Sequence, residues 1–405
     1  MTAVPSELIP PAQARARVLA EVRPLPPEDV AIGDALGRTL AEDVSSPLDL
    51  PPFDSSAMDG YAVAAGPAAE LPVVGESRAG TPAERPLRPG EAMRISTGAA
   101  VPAGADAVVP VERTALRDGR VSVPATQPGA HVRRAGEDVR AGQPVLAAGA
   151  GLGPAELAVL SSLGREHVPC GGVPRVAIVV TGDELVPPGR PLGPGQIRDS
   201  NATALAAQAT RAGARVVSVA HVGDDRELTI DAVAGAISSA DVVCVSGGVS
   251  VGPHDHVKPA LAAAGARELF WGVALKPGKP TWFGRAGEAL IFGLPGNPVS
   301  AMVTFHLFAR PALRALAGAD PSDARAAAVL DAPIDRSPDR EQAVRCRLRA
   351  VDDGWHAEPT KAQGSHVLTS MLAADALALV PPGDGVVETG ERVLIELLPR
   401  GTVSG

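Results

Sequence analysis

Aromatic residues are scarce in this sequence of 405 residues, and their scarcity excludes one class of function. They make up only 2% of the chain, too few for the stacking platforms that bind single-stranded nucleic acid. The net charge of −9 also argues against a broad footprint on a phosphate backbone. We therefore expect no nucleic-acid partner, and we expect any bound anion to be small and held by a local cluster.

Cysteine is equally rare, with only Cys170, Cys244 and Cys346 along the whole chain. They lie far apart and form no CxxC pair, which excludes a local zinc motif and a disulfide framework. This usage fits a reducing compartment. We predict that all three are small buried side chains without a catalytic role.

Long apolar runs are missing as well. No run reaches the roughly 18 residues that a membrane-spanning helix needs. The first ten residues lack the basic region and apolar stretch of a secretory signal. The sequence therefore predicts a cytoplasmic protein without a membrane partner.

Glycine and proline, by contrast, are abundant, with 44 and 40 residues. Much of the chain must therefore form turns and shaped loops. Hydrophobic residues make up 45% and charged residues 20%, which is the balance of a globular protein that can bury sizeable cores.

The first part of the chain predicts a β-rich domain inserted after a helical segment. A helix is expected from about residue 11, where prolines occupy early helical positions. From about residue 46 to residue 140, short alternating runs at 71–74, 107–111 and 120–123 are punctuated by turn residues, and an Asp118-Gly119 turn is predicted before the last of them. A second helix is expected over 154–163.

From residue 173 onward, strands and helices alternate along the chain. Such alternation predicts βαβ units with a mostly parallel sheet and right-handed crossovers. After Gly318 the pattern is β-like, with a hairpin turn at 352–354 that suggests a small barrel or sandwich. The predicted strands are 175–180, 215–220, 242–245 and 289–292, and the predicted helices are 200–211, 227–238, 256–264 and 299–317.

The most distinctive segments are the loops that follow these strands. Ligands of open parallel sheets bind outside the carboxyl ends of the strands. The loops there read TGDEL (181–185), GDD (223–225), SGGVSVG (246–252), KPGKP (276–280) and GLPGNP (293–298). The topology thus brings carboxylates, a glycine-rich turn and two lysines to one edge.

The SGGVSVG loop is suited to cradling a phosphate, because Gly247 and Gly248 let backbone N–H groups approach an anion. The alternative is a tight strand-to-helix turn without a ligand. Glu184, Asp224 and Asp255 offer oxygen ligands from three loops, which suits Mg²⁺ held partly by substrate phosphates. Taken singly, each carboxylate could instead be a helix cap or a solvated loop residue.

Lys276 and Lys279 flank Pro277-Gly278, so a short turn displays two cations that could grip a compact oxyanion. The alternative is an exposed basic turn. His254 and His256 stand on either side of Asp255, but adjacent residues seldom converge on one ion. We therefore interpret both histidines as incidental.

The ordered set of motifs resembles that of the MoeA/gephyrin family, the molybdopterin molybdenumtransferases. The resemblance extends from the first helix to QGSH at 363–366. Ser55 stands where the family often has Asn. The motifs are SSAMDGYAV (55–63), RISTGAAVP (94–102), TGDEL, RDSN (198–201), SGGVSVG, LKPGKP (275–280) and GLPGNPVSA (293–301).

This resemblance implies an elongated homodimer of four-domain subunits. Residues 1–46 with 141–172 would form an N-terminal helical and linker domain, which holds an inserted β-rich domain over 47–140. An α/β, three-layer molybdopterin-binding domain would follow over 173–320. A C-terminal β-barrel domain would occupy 321–405.

The resemblance also implies the reaction: magnesium-dependent insertion of molybdate into the dithiolene of adenylated molybdopterin, with release of AMP and formation of molybdenum-molybdopterin. The dithiolene sulfurs belong to the substrate, so such an enzyme needs no cysteine ligands for molybdenum. The shortage of cysteine agrees with this expectation.

Site residues carried over from the family fall into three sets. Molybdate binding is expected from Lys276, Lys279, Ser300, Arg345 and Ser365. Glu184 and Asp255 are the expected magnesium ligands, with Asp224 as a further catalytic carboxylate. Ser246, Gly247, Gly248, Ser250 and Pro298 are expected to meet the rest of the substrate, with Gly247, Gly248 and Ser250 at the nucleotide or pterin phosphate.

Asp59 and Thr97 lie in the inserted domain, and the resemblance suggests that they complete the active site from the partner subunit. The alternative for both is structural, because MDGYAV (58–63) could simply be a packed turn that enters a strand.

Three other functions compete with this interpretation. The chain could adenylate molybdopterin, since a similar α/β domain occurs in proteins that do so, and such an adenylyltransferase is also a candidate partner. It could be a non-catalytic pterin carrier or scaffold, or a generic nucleotide-binding protein. The extra domains and the KPGK loop favour molybdate insertion, although no list of side chains separates molybdate from tungstate.

Overall fold

The computed structural model describes residues 8–248, 256–322 and 324–398. Up to residue 170 the elements are α1 (Pro11–Ala20), β1 (Glu28–Ala31), β2 (Val44–Ser45), β3 (Ser55–Ser56), β4 (Gly60–Val63), β5 (Ala69–Ser77), β6 (Ala92–Ile95), β7 (Ala107–Pro110), β8 (Ala115–Arg117), β9 (Arg120–Val123), β10 (Val132–Arg133), β11 (Pro144–Leu146), α2 (Pro154–Ser162) and β12 (His167–Cys170).

From residue 175 they are β13 (Arg175–Thr181), β14 (Leu185–Val186), β15 (Ile197–Arg198), α3 (Asn201–Arg211), β16 (Arg215–Val222), α4 (Arg226–Ser239), β17 (Val242–Ser246), α5 (Val257–Ala263), β18 (Arg267–Trp271), β19 (Leu275–Lys276), β20 (Trp282–Ala286), β21 (Ala289–Leu294), α6 (Pro298–Thr304), α7 (Arg310–Leu316), β22 (Arg325–Leu330), β23 (Ile334–Asp335), β24 (Glu341–Val351), β25 (Gly354–Pro359), β26 (Ala376–Val380), β27 (Val386–Val387) and β28 (Arg392–Leu397).

Two compact units make up the chain. One is built from the segments up to Ala41 and from Val168 onward, and the other is Glu42–His167. The second unit contains the inserted β-rich region that the sequence predicts. The division into four domains with the boundaries given above stays a prediction.

The Glu42–His167 unit is built on a six-stranded sheet in the order β7-β4-β6-β5-β9-β8. Tyr61, Val63 and Val109 are nearly fully buried and lie in its core. The turn predicted at Asp118-Gly119 joins β8 to β9 as an antiparallel hairpin. Both of its residues have positive φ, which is the geometry that this dipeptide favours.

The α/β region contains a six-stranded sheet in the order β16-β13-β17-β21-β20-β18. Its first four strands are parallel, which confirms the predicted βαβ pattern. Apolar residues of α3, α6 and α7 form the core on one face, and those of α4 and α5 form the core on the other. The predicted three-layer arrangement is therefore confirmed.

Two details of this region differ from the sequence prediction. β20, which the sequence pattern did not indicate, pairs antiparallel with β21 through a hairpin at Gly287. A short hairpin turn allows only antiparallel pairing, so the sheet ends in an antiparallel edge. The helix predicted over 299–317 is interrupted by a π-helical turn at Phe305–Ala309.

The C-terminal region is a closed five-stranded barrel. The strands pair in the order β24-β25-β22-β28-β26, and a further pairing between β26 and β24 closes the ring. The predicted turn at 352–354 joins β24 and β25. Of the two predicted alternatives, barrel or sandwich, the barrel is correct.

All three cysteines are buried and free, as predicted. Burial raises the pKa of the Cys244 and Cys346 thiols to about 12, so neither is a thiolate at neutral pH. In the ranges that the structure describes, no helix combines the length and apolar character that crossing a membrane requires.

Candidate active site

A cleft of about 740 Å³ opens at the carboxyl ends of the parallel strands. This is where ligands of open α/β sheets bind. Six residues predicted from the sequence line this first cleft together: Glu184, Asp224, Ser246, Gly247, Gly248 and Pro298. Ser250 and Asp255 lie outside the described residues.

The glycine-rich turn after β17 depends on Gly247. Its φ is +91°, and a Cβ atom there would lie 2.6 Å from the backbone oxygen of Thr181. Its N–H donates to the carbonyl of Leu294 (3.3 Å), so this amide is used within the sheet. The turn is therefore fixed by backbone packing between three neighbouring strands.

Gly247→Ala is expected to lower both the stability of the protein and any binding in the first cleft. The added Cβ atom would clash with the backbone oxygen of Thr181. An alanine held at positive φ is also strained, which costs on the order of 1–3 kcal/mol. Thermal unfolding and ligand titration measure the two effects. Gly195→Ala is the control, because Gly195 also has positive φ but open space around it. Equal losses in both variants would contradict the packing argument.

Asn201 lines the first cleft and connects two of its loops. Its side-chain amide donates to Ser246 Oγ (2.8 Å) and to the carbonyl oxygen of Gly296 (2.8 Å). Ser246 Oγ in turn donates to the carbonyl of Pro295 (3.3 Å). The loops after β17 and β21 are therefore fixed to the start of α3.

Asp199, two residues earlier, is buried and anchors the same corner. Its Oδ1 accepts from the backbone N–H groups of Asn201 (2.8 Å) and Ala202 (3.1 Å). Its Oδ2 lies 2.8 Å from Nε2 of His221. No role in the site was predicted for Asp199, although an Asp before a helix is a recognisable capping signal.

Glu184 and Asp224, the two lining carboxylates that the sequence predicts, come from two loops of the first cleft that a further acid joins. Asp183 Oδ1 accepts from the N–H of Asp224 (2.9 Å), which connects the TGDEL loop to the loop after β16. Asp225 accepts from the N–H of Leu228 (2.9 Å) and caps α4. Glu184 and Asp224 are thus held near one another, while Asp225 has a structural role.

A second cavity of about 420 Å³ is lined by both Lys276 and Arg345. These two cations are far apart in sequence, since Lys276 ends β19, between β18 and β20, and Arg345 lies on barrel strand β24. Pairing of β19 with β24 brings them to the same region. Polar and charged side chains complete its wall: Asp335, Gln342, Thr360, Lys361 and Gln363. Among the described residues of this wall, three cations outnumber one carboxylate. The structure therefore brings together two of the five residues predicted to bind molybdate.

Arg345 is 1% exposed, and its guanidinium is held by neutral groups. Nε donates to Ser370 Oγ (3.3 Å), and Nη2 donates to the carbonyls of Ala362 (3.3 Å) and Gly364 (3.4 Å). No carboxylate of the described residues lies within ion-pairing distance. Burial lowers the pKa of Arg345 to about 10, so it remains a cation at neutral pH and favours an anion beside it.

The Lys276–Pro280 segment runs between the two cavities. Lys276 and Pro277 line the second cavity, whereas Pro280 lines the first cleft. Gly278 has φ +128°, and a Cβ atom there would lie 2.6 Å from Cγ2 of Thr304. The turn is therefore packed tightly on α6, and both lysine side chains are exposed.

Ser300 and Ser365 line neither cavity. Ser300 is buried in the first turn of α6. Ser365 Oγ accepts from the side-chain amide of Asn297 (3.0 Å), and its carbonyl accepts from the N–H of Val299 (3.2 Å). The structure places Ser365 beside the start of α6, and the molybdate-binding role of both serines stays a prediction.

Asp59 and Thr97 are neighbours on the surface of the Glu42–His167 unit. Asp59 Oδ1 accepts from the backbone N–H of Thr97 (2.8 Å), and both residues are exposed. The contact is consistent with the structural alternative, a packed turn. It also leaves both side chains accessible, as the catalytic alternative requires. Their catalytic role stays a prediction.

Comparison with known families covers nearly the whole chain. Residues 9–164 match the MoeA N-terminal region (domains I and II), residues 177–315 match a probable molybdopterin-binding domain, and residues 327–398 match the MoeA C-terminal region (domain IV). The chain belongs to the MoeA family. The MoeA/gephyrin resemblance of its ordered motifs is thereby confirmed.

Relatives of known name agree with this membership. The molybdopterin molybdenumtransferase of Haemophilus influenzae is 36% identical over 95% of this chain and 97% of its own length. Molybdopterin molybdenumtransferase 2 of Mycobacterium tuberculosis is 42% identical over 95% of this chain and 98% of its own. The crystal structure of the MoeA molybdopterin biosynthesis protein of Pyrococcus horikoshii superposes with a TM-score of 0.81 at 33% identity, covering 96% of this chain and 99% of that one.

Proposed function

We propose that this chain is a magnesium-dependent molybdopterin molybdenumtransferase that inserts molybdate into adenylated molybdopterin and releases AMP. As a MoeA-family enzyme it acts in molybdenum cofactor biosynthesis, by inserting molybdate. The observation that carries the finer proposal is the pair of adjoining sites: an acidic, glycine-lined cleft and a cationic cavity on either side of one lysine-rich loop.

The two sites divide the substrates between them. The first cleft is large enough for a small organic ligand and would hold the adenylated pterin. The second cavity presents Lys276 and the buried cation Arg345, which suit a compact dianion such as molybdate. The dithiolene would have to reach the 276–280 segment, where the two sites adjoin.

The reaction balances without an oxidant or a reductant. The two dithiolene thiols replace one oxo group of molybdate, which leaves as water. Cleavage of the phosphoanhydride takes up one water and yields AMP and the pterin phosphate. The residues therefore need only to bind, orient and neutralise charge, because no group of the protein must form a covalent bond.

Magnesium is part of the proposal, and the residues of the first cleft fit it. Glu184 and Asp224 supply carboxylate oxygens, and Mg²⁺ is commonly held by one or two carboxylates plus substrate phosphates. Within the described ranges, no three or more Asp, Glu, His or Cys side chains are arranged to hold a metal ion by themselves. Asp255, the other ligand predicted from the sequence, and phosphate oxygens of the substrate would complete the site, where the ion would offset the charge of the phosphoanhydride.

The deciding experiment measures AMP released by the purified protein from adenylated molybdopterin, magnesium and molybdate, with molybdate omitted as the control. Release that depends on molybdate, with a product that activates an apo-molybdoenzyme, supports the proposal. Tight binding without AMP release would favour a carrier or scaffold. If the protein forms no AMP but adenylates molybdopterin with ATP, the adenylyltransferase alternative is favoured.

A homodimer that completes each site with Asp59 and Thr97 of the partner is part of the same proposal, as is a cytoplasmic location. Both rest on the sequence. The exposed Asp59–Thr97 contact supports the first, because it leaves a carboxylate and a hydroxyl on the surface where a second subunit could use them.

Subunit mixing tests this arrangement. Asp59→Asn and Arg345→Ala chains are each expected to be inactive, but equal amounts unfolded and refolded together should regain about a quarter of the wild-type activity per chain, because half of the dimers then contain one intact site. AMP release and native mass spectrometry measure activity and dimer composition. Mixed dimers without any recovered activity would show that Asp59 acts within its own chain, and an active Asp59→Asn homodimer would show that it has no catalytic role.

A further inference from the structure

We propose that Arg198, a residue that the sequence analysis left without a role, binds the diphosphate of the adenylated substrate. The inference rests on the proposed function and adds a residue to it. Of the described residues that line the first cleft, Arg198 is the only lysine or arginine. Its guanidinium makes no hydrogen bond or ion pair with any described residue, and the residue is exposed.

The charge of the cleft creates a need for such a cation. Glu184, Asp199 and Asp224 all line it, so its fixed charge is predominantly negative. A phosphoanhydride substrate is itself an anion and would be repelled by these carboxylates unless positive charge balances both. Lys276 and Arg345 line the second cavity instead, so neither of them fills this role in the first cleft.

The backbone around Arg198 is fixed on both sides. It pairs with Val186 in the two-stranded β14–β15 ribbon, and the N–H of Asp199 donates to the carbonyl of Val186 (3.0 Å). Immediately after it, Asp199 and Asn201 are anchored to α3 and to the cleft loops by the contacts described above. The segment therefore presents a free guanidinium from a rigid platform, which reduces the entropy lost when a ligand binds.

The chemistry of the side chain matches the phosphoanhydride. A guanidinium offers a planar fork of N–H donors that can contact two phosphate oxygens at once, whereas a lysine acts as a point charge. Molybdate is smaller and is assigned to the other cavity. Loss of Arg198 should therefore affect only the adenylated substrate.

The test compares Arg198→Ala and Arg198→Lys with Arg190→Ala, which removes an exposed arginine from the same segment outside the cleft. Arg198→Ala is expected to raise KM for adenylated molybdopterin by about 10- to 100-fold, the range for a lost charge-assisted contact. The kcat and the KM for molybdate should stay near wild-type values. Arg198→Lys should recover part of the loss, and Arg190→Ala should behave as wild type.

Binding of adenylated molybdopterin without molybdate is measured by calorimetry for the same proteins, and thermal unfolding checks their fold. If the wild-type protein turns over and Arg198→Ala has an unchanged KM for adenylated molybdopterin, the proposed function stands while the role of Arg198 is wrong. An equal rise in both KM values, or the same loss in Arg190→Ala, would overturn it too. A wild-type protein that binds without molybdate-dependent AMP release would refute the proposed function, while weaker binding by Arg198→Ala would still support this residue. No binding by the wild type would refute both.

Discussion

Replacing Arg345 with alanine is expected to reduce molybdate-dependent AMP release by on the order of 10²- to 10³-fold, the range for losing one fixed group that stabilises developing charge. The guanidinium is buried, lacks a carboxylate partner among the described residues and lines the cavity that Lys276 also lines. An anion in that cavity would supply the missing counter-charge. Steady-state kinetics with molybdate as the varied substrate measure the loss.

The same variant is also expected to lose some stability. The carbonyls of Ala362 and Gly364 would lose their donor, and an unsatisfied buried polar group costs about 1–3 kcal/mol. Thermal unfolding separates this effect from the kinetic one. Arg347→Ala, on the same strand but exposed, is the matched control. If the Arg345→Ala enzyme keeps its stability and a normal KM for molybdate, the second cavity is not the molybdate site.

Replacing Glu184 with glutamine is expected to lower turnover by on the order of 10²-fold and to raise the magnesium concentration needed for half-maximal activity. The substitution keeps the size of the side chain but removes a carboxylate that lines the cleft. AMP release as a function of magnesium concentration measures both effects.

Asp225→Asn is the control for Glu184→Gln. It also removes a negative charge from this edge of the sheet, but asparagine can still cap α4. Its magnesium dependence should stay at the wild-type value. If Glu184→Gln shows the same magnesium dependence as Asp225→Asn, Glu184 does not help to hold the ion.

Much of the fold was predictable because its determinants are local. The parallel α/β strands are mostly apolar runs, each followed along the chain by a helix, so their parallel pairing follows from short connections and right-handed crossovers. The hairpin at Asp118-Gly119 follows from a dipeptide that accepts positive φ. The antiparallel β20 was missed because Trp282–Ala286 is short and contains Gly284 and Arg285, so neither alternation nor a continuous apolar run marks it as a strand.

The candidate site was predictable only in part, because only some of its residues are marked by local sequence. Glu184, Asp224 and Gly247 follow strands directly, so the topology alone places them at one edge. Arg345 came from family resemblance, because nothing in the local pattern of β24 marks a buried arginine. Asn201 and Arg198 were missed since their significance depends on distant partners.

The sequence by itself determined the order of the strands and helices, the edge of the sheet at which ligands bind, and the kinds of groups found there. These properties arise from periodicity, turn chemistry and connection length, which act over a few residues. Only the tertiary structure decided that the buried Arg345 lines one cavity with Lys276, that Asn201 joins Ser246 to Gly296, and that Arg198 lines the acidic cleft. Such contacts depend on how distant segments pack, because burial and hydrogen bonding across the fold leave no periodic signal along the chain.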